Sequence, residues 1–191
     1  MHERRRERLG LQKLSYIDEN MYFAKGNPKP QGTPEEIMAN GQKMYEELSP
    51  ETKEFFDFMM ENQLFDVLGR KTKKAGGYMT YLPKYRAPFI FANFNGTSGD
   101  VDVVTHECGH AFQGYVSGSD PIEEHWDITM ETAEIHSMSM EFFTEPWMEL
   151  FFKEEADAYR QMHVEDAVAF IPYGCETCGM EEAGGRIQTT S

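Results

Sequence analysis

The chain has 191 residues, 40% hydrophobic and 27% charged, a balance that fits one globular domain with a buried core and argues against a disordered chain. Its 33 acidic against 18 basic residues leave a net charge of -15, which repels phosphate backbones and anionic lipid; neither nucleic acid nor a membrane is expected as a partner, while cations and basic peptides are favoured. No apolar run approaches the roughly 20 residues of a membrane span, and "LQKLSYIDEN" stands where a signal peptide would need its apolar core. Three cysteines without a regular framework fit a reducing compartment, so a cytoplasmic protein is expected.

In chain order, a basic run from Arg4 to Arg8 precedes "GNPKPQGTP", whose prolines and glycines impose a loop. Thr33, Pro34 and Glu36 form the signature of a capped helix start, and Ser49 with Pro50 opens a second helix expected to run through "KEFFDFMMENQLFDVL". Met44, Leu48, Phe55, Phe56, Met59 and Leu64 are its core candidates and those of its neighbour. The alternating "PFIFANFN" predicts a strand, followed after a short turn by a helix through "GDVDVVTHECGHAFQGYVSG", with Ser98 to Asp100 supplying cap chemistry. A further helix is expected over "ITMETAEIHSMSMEFFTE", and another from Pro146 through "PWMELFFKEEADAYRQMHVEDAVAF". From residue 175 to 191 the hydrophobic period is lost and the tail is expected to fray. The pattern is mainly α with a small β region and shows no repeat or linker, so one domain is expected over 1–191.

Chemistry concentrates in "VVTHECGHAFQ". His106 and His110 are four apart and share a helix face, so both imidazoles can bind one zinc ion; Glu107 is rotated by about 100° and stands beside the metal. There it can take a proton from a metal-bound water and return it to a leaving amine, the chemistry of a metallopeptidase. A catalytic zinc takes a third protein ligand. Val116 and Gln113 occupy the places where the HExxHxxGxxH pattern needs histidine and glycine, which excludes that class. The next helix offers Glu131, Glu134, Glu141 and His136. Glu134 and Glu141 lie within about 20° of each other on a helix flanked by Met130, Met138, Phe142 and Phe143. Two carboxylates on one stripe of an apolar helix need a reason for burial, and a metal supplies it: Glu134 as third ligand, Glu141 as acceptor for a ligand histidine's other N–H. Cys108 lies on the opposite side of the helix as a buried thiol, and Gly109 permits close approach of another backbone. Cys175 and Cys178 make a lone CxxC, short of the four ligands of a structural zinc site.

"VVTHECGHAFQ" together with "ETAEIHSMSMEF" resembles the oligoendopeptidase F branch of the thimet oligopeptidase family, whose zinc peptidases pair an HExGH helix with an E-x-x-S-x-x-x-E segment. Glu134, Ser137 and Glu141 match that segment, and the resemblance runs from about Leu11 to Cys175. It implies a partial zincin-like (gluzincin) catalytic domain, with His106, His110 and Glu134 as ligands of one Zn2+, Glu107 as base, and short peptides as substrates. By the same resemblance the strand before the metal helix lines the cleft. Ala92, Asn93 and Phe94 are then the expected edge for an extended peptide, which would add to the sheet by main-chain hydrogen bonds. The family's downstream segment, whose histidine and tyrosines donate to the oxyanion, has no counterpart after Cys175. A catalytically silent zinc-binding or interaction fragment is the alternative to a zinc-dependent metalloendopeptidase.

Overall fold

The structure is a computed structural model that describes residues 2–126 and 128–188, with side chains described as far as residue 172 apart from residue 123. The chain forms two compact units, Pro28–Ala156 and the pairing of Met1–Asn27 with Asp157–Ser191. It is mainly helical with one small sheet.

In the larger unit, α2 (Pro34–Leu48) starts as the sequence predicts: the Glu36 amide donates to the Thr33 hydroxyl and the Glu36 carboxylate accepts from the Thr33 amide. Ser49 caps α3 (Pro50–Glu61) by accepting from the Thr52 amide. α3 is shorter than expected. Gln63 adopts φ 53, the Leu64 amide reaches back to the Met59 carbonyl at 2.9 Å, and the Asn62 side chain takes the Phe58 carbonyl, which closes the helix end. "FDVL", expected to be helical, becomes β1 (Phe65–Leu68) instead. With β2 (Tyr78–Leu82) and β3 (Ala87–Phe94) it makes a three-stranded sheet of order β1-β3-β2, β1 parallel and β2 antiparallel to the central strand. Phe65 pairs with Ile90, and Tyr78 with Phe91. The aromatic residues of "YMTYL" carry β propensity, but flanking glycines and prolines obscure it in the sequence.

Two short helices and a π-helical turn follow: α4 (Gly99–Asp102), the turn Val103–Glu107, and α5 (Cys108–Ser117). α6 (Met130–Phe143) then leads to α7 (Met148–Phe152). The core joins Met44 and Tyr45 of α2, Phe55, Phe56 and Met59 of α3, Ile90 of β3, Val101 and Val104 from the helix segments, and Phe151 and Phe152 of α7. Tyr45 stacks on Phe56 at 5.0 Å, and Phe55 meets Phe112 edge to face at 5.4 Å. Leu48 and Leu64 are only half-buried.

The single helix expected from Pro146 onward is broken at Lys153, where φ is 51. Side-chain and loop donors take the carbonyls that a continuing helix would use: Asn40 Nδ2 donates to Leu150 O at 2.9 Å and the Gln31 amide to Phe151 O at 2.8 Å. The last helix, α8, spans Ala156–Gln188. Side chains of Tyr173, Cys175, Cys178 and the rest of the expected tail lie outside the described residues. In the smaller unit, formed by α1 (His2–Arg8), the loop after it and α8, the basic run is partly paired. Arg8 makes a bidentate bond to Glu165 at 2.8 and 2.9 Å and a third to Tyr22 O, and Tyr22 donates its hydroxyl to Asp166. No helix among the described residues is long and apolar enough to cross a membrane.

Asp66 on β1 gives the fold a pH signature. The Arg70 guanidinium and the Lys73 ammonium bond its carboxylate and hold it down from 3.8 to about 2. A depressed carboxyl stabilises the folded state above its unfolded value, and that contribution disappears as pH falls through the folded value. Thermal unfolding of the metal-free chain between pH 3.8 and about 2 should therefore show a loss of stability that is smaller in Asp66→Asn. An identical profile in the variant would contradict this.

Candidate metal centre

The strand-to-helix turn positions the site. After β3 the Asp100 carboxylate accepts from the Asn95 and Gly96 amides at 2.8 Å each and closes the turn that starts α4. Within the stretch expected to supply cap chemistry, Ser98 to Asp100, it is Asp100 whose side chain accepts backbone amides, while the Ser98 side chain makes no capping hydrogen bond. His106 and Glu107 then fall in the π-helical turn, which an apolar/polar pattern read at 100° per residue does not reveal. Buried side chains supply hydrogen bonds where the helical ladder is interrupted: Tyr45 donates to Val104 O at 2.9 Å and Thr105 to Val101 O at 3.2 Å.

α5 and α6 meet at Gly109. A Cβ added there would lie 2.6 Å from Ser137 Cα, 2.8 Å from His136 O and 3.0 Å from Met140 Cβ, so only glycine allows the two backbones this spacing. The approach brings Glu134 against both histidines. His106 Nε2 is 3.4 Å from Glu134 Oε2, His110 Nε2 is 3.8 Å from Glu134 Oε1, and the two rings stand edge to face at 4.9 Å. One donor atom from each of His106, His110 and Glu134 lies within 4.8 Å of the other two. Zinc bonds of about 2.0–2.2 Å to nitrogen and oxygen place tetrahedral donors about 3.4 Å apart, so this donor set fits a small divalent ion.

The surroundings prepare each donor. His106 Nδ1 donates to Glu141 Oε1 at 2.5 Å, which leaves Nε2 as the free nitrogen on the Glu134 side. Burial alone would lower the His106 pKa, but the Glu141 hydrogen bond and charge outweigh it and raise the value. His110 is lowered by burial and by His106, which favours the neutral imidazole a metal requires. Ser137, fully buried, donates to Glu134 Oε2 at 2.9 Å and fixes the carboxylate. The orienting roles of Tyr45 and Ser137 are additions from the structure; the sequence signal for the latter was its place in the E-x-x-S-x-x-x-E match.

Glu107 stands outside the three converging donors. Burial raises its carboxyl above the usual value and Glu134 adds to this, while His106 and the Met79 backbone act against them. A carboxylate so placed is a proton acceptor poised closer to neutral pH than an exposed glutamate. Cys108 is a buried free thiol beside Tyr45, with its pKa pushed up by burial.

The residues expected to pair with a peptide lie on the central strand. In β3, Phe94 is in register with Leu68 of β1, Ala92 O accepts from Lys73 Nζ, and Asn93 Nδ2 donates to Lys74 O and Gly76 O at 2.9 Å, while the pairing with β2 ends at Phe91. β2 is an outer strand, and it is the one beside the site. Its Met79 backbone influences Glu107, and Tyr81 and Met79 contact α5 at Gly114.

Two substitutions test this assembly. Gly109→Ala should separate α5 from α6, costing about 1–3 kcal/mol in thermal unfolding and at least about tenfold in zinc affinity by competitive chelation. Glu141→Gln keeps the side-chain shape but loses the charged acceptor, and should weaken zinc about 10- to 100-fold. Unchanged affinity in Glu141→Gln would remove that residue from the centre.

Comparison with known proteins agrees with the geometry. The profile of peptidase family M3 matches residues 38–171. A solved structure provisionally called oligoendopeptidase F is 58% identical with a TM-score of 0.86, covering 90% of this chain and 30% of its own. A protein from Bacillus anthracis str. Ames, given the same provisional name, is 55% identical, with a TM-score of 0.86 and coverage of 91% and 32%. PZ peptidase A, solved with an inhibitor, is 58% identical, with a TM-score of 0.86 and coverage of 91% and 31%. No curated protein matches. The chain thus spans about 30% of the length of these solved relatives. With the profile covering most of its length and the paired histidine and glutamate helices in place, the chain belongs to peptidase family M3.

Proposed function

We propose that this chain carries the centre of a zinc-dependent metalloendopeptidase that hydrolyses peptide bonds in oligopeptides. The observation that carries the reading is the convergence of His106, His110 and Glu134 with Glu107 in the same turn and Glu141 behind His106. His106, His110 and Glu134 hold the ion. When bound, zinc polarises the scissile carbonyl and lowers the pKa of water. Glu107 accepts the proton of the attacking water and delivers it to the leaving amine, a task its raised pKa favours. Ser137 and Glu141 keep Glu134 and His106 oriented. An extended substrate adds to the outer edge of β2, where backbone hydrogen bonds bind it without reading its sequence. The buried free Cys108 supports a reducing location, the cytoplasm.

A second reading is favoured by one observation, the short span relative to the solved relatives. In it the chain binds zinc without turnover, because groups that stabilise the oxyanion are supplied elsewhere; losing one such donor typically costs about 10² to 10³ in kcat.

Zinc analysis with cleavage of a quenched fluorescent peptide separates the two. One zinc per chain, cleavage by the parent and a loss of about 10³-fold or more in Glu107→Gln with zinc retained support the peptidase. Zinc without cleavage in the parent supports the silent fragment, and absence of zinc binding contradicts both.

A further inference from the structure

The loop that leads into β2 is fastened by a lysine in an unusual setting. The Lys73 side chain is 1% exposed. Its ammonium donates to Asp66 O at 2.7 Å, Asp66 Oδ1 at 3.0 Å, Leu68 O at 3.1 Å and Ala92 O, and lies 4.4 Å from the centre of the Phe91 ring. Four oxygens, three of them carbonyls and one the carboxylate of its ion-pair partner Asp66, thus surround a group with three protons. The cage forms where the β1–β3 register shifts between Asp66 and Leu68 and so leaves carbonyls of both residues available.

The cage is connected to the site. Phe91, beneath the ammonium, stacks on Tyr78 at 5.2 Å, and Tyr78 begins β2. Asn93, next to the caged Ala92 carbonyl, grips Lys74 O and Gly76 O, the backbone just before that strand. Lys73 therefore ties the end of β1, the middle of β3 and the entry to β2 together at one point. With the charge removed, the Asp66, Leu68 and Ala92 carbonyls would lose this donor, the Asp66 carboxylate would keep only Arg70, and the loop would open to hydrate the carbonyls.

We propose that Lys73 is a tethered cation that positions β2, and hence the peptide-pairing edge, beside Glu107; the second half of this statement rests on the reading of β2 given above. Replacing Lys73 by alanine removes three methylenes and the ammonium, a gap that n-propylammonium matches atom for atom. In the Lys73→Ala chain, amide exchange across Tyr78–Leu82 should run at least about tenfold faster than in the parent. Added n-propylammonium should slow it again, while neutral 1-propanol should not. Zinc affinity should stay within about twofold of the parent, because the ligands lie on other elements. Binding of a short peptide to the zinc-loaded chain should weaken with the faster exchange and recover with the amine. Lys73→Met, which keeps the apolar stem without the charge, should share the loss and gain nothing from the amine. Parent-like exchange in Lys73→Met overturns the proposal, as does a Lys73→Ala chain whose fast exchange or unfolding is indifferent to n-propylammonium. If the parent binds no peptide, the edge reading fails and the exchange measurements still decide whether Lys73 is the cation that holds β2.

Discussion

The site depends on one backbone contact, the approach of α5 to α6 at Gly109. Metal ligands from two helices must come within a few ångströms of each other, and ordinary helix packing at 8–10 Å between axes leaves little room for side chains at the crossing. A hydrogen at position 109 removes the obstacle: any Cβ would collide with Ser137 and His136. The crossing lies one residue before His110 and three after Glu134, so the contact that joins the helices also registers the candidate donor side chains. Ser137 then serves twice, by its backbone at the crossing and by its hydroxyl on the Glu134 carboxylate.

Around this contact the chain spends its buried polar groups on orientation. Tyr45, inside an aromatic cluster, reaches the Val104 carbonyl of the π-helical turn, and Gly41 on the same helix lets Val104 pack where a Cβ would lie 2.6 Å from it. The turn that presents His106 and Glu107 is therefore held from the core side, and Glu141 holds the histidine from the α6 side. A π turn carries an extra residue per turn and costs helical hydrogen bonding, so it persists only where surrounding groups compensate. The same division appears at β2, held on its sheet side by β3 and presented to the centre at Met79.

Much of the centre was legible because its chemistry is encoded by local spacing. Two histidines four apart, a glutamate between them and a second pair of carboxylates in helical phase identify residues without tertiary information, and the structure brings His106, His110 and Glu134 together and Glu141 onto His106. The helix starts at Thr33 and Ser49 were legible for the same reason. What escaped depends on partners distant in sequence. The end of α3 at Glu61 and the strand at Phe65–Leu68 follow from a left-handed Gln63 and pairing with β3, neither of which alters the local apolar pattern. The place of β3 at the centre of the sheet was equally hidden, because strong alternation marks a central strand as readily as an outer one and only pairing with β1 and β2 decides between them. The break at Lys153 arises from donors on Gln31 and Asn40, more than a hundred residues away.

The most direct test of the two-helix centre is X-ray absorption at the zinc edge of the zinc-loaded chain. The predicted first shell contains two imidazole nitrogens and carboxylate oxygen with no sulfur, and it loses protein oxygen in Glu134→Ala. Sulfur neighbours, or a spectrum that Glu134→Ala leaves unchanged, would place the metal elsewhere and contradict a centre built by the contact at Gly109.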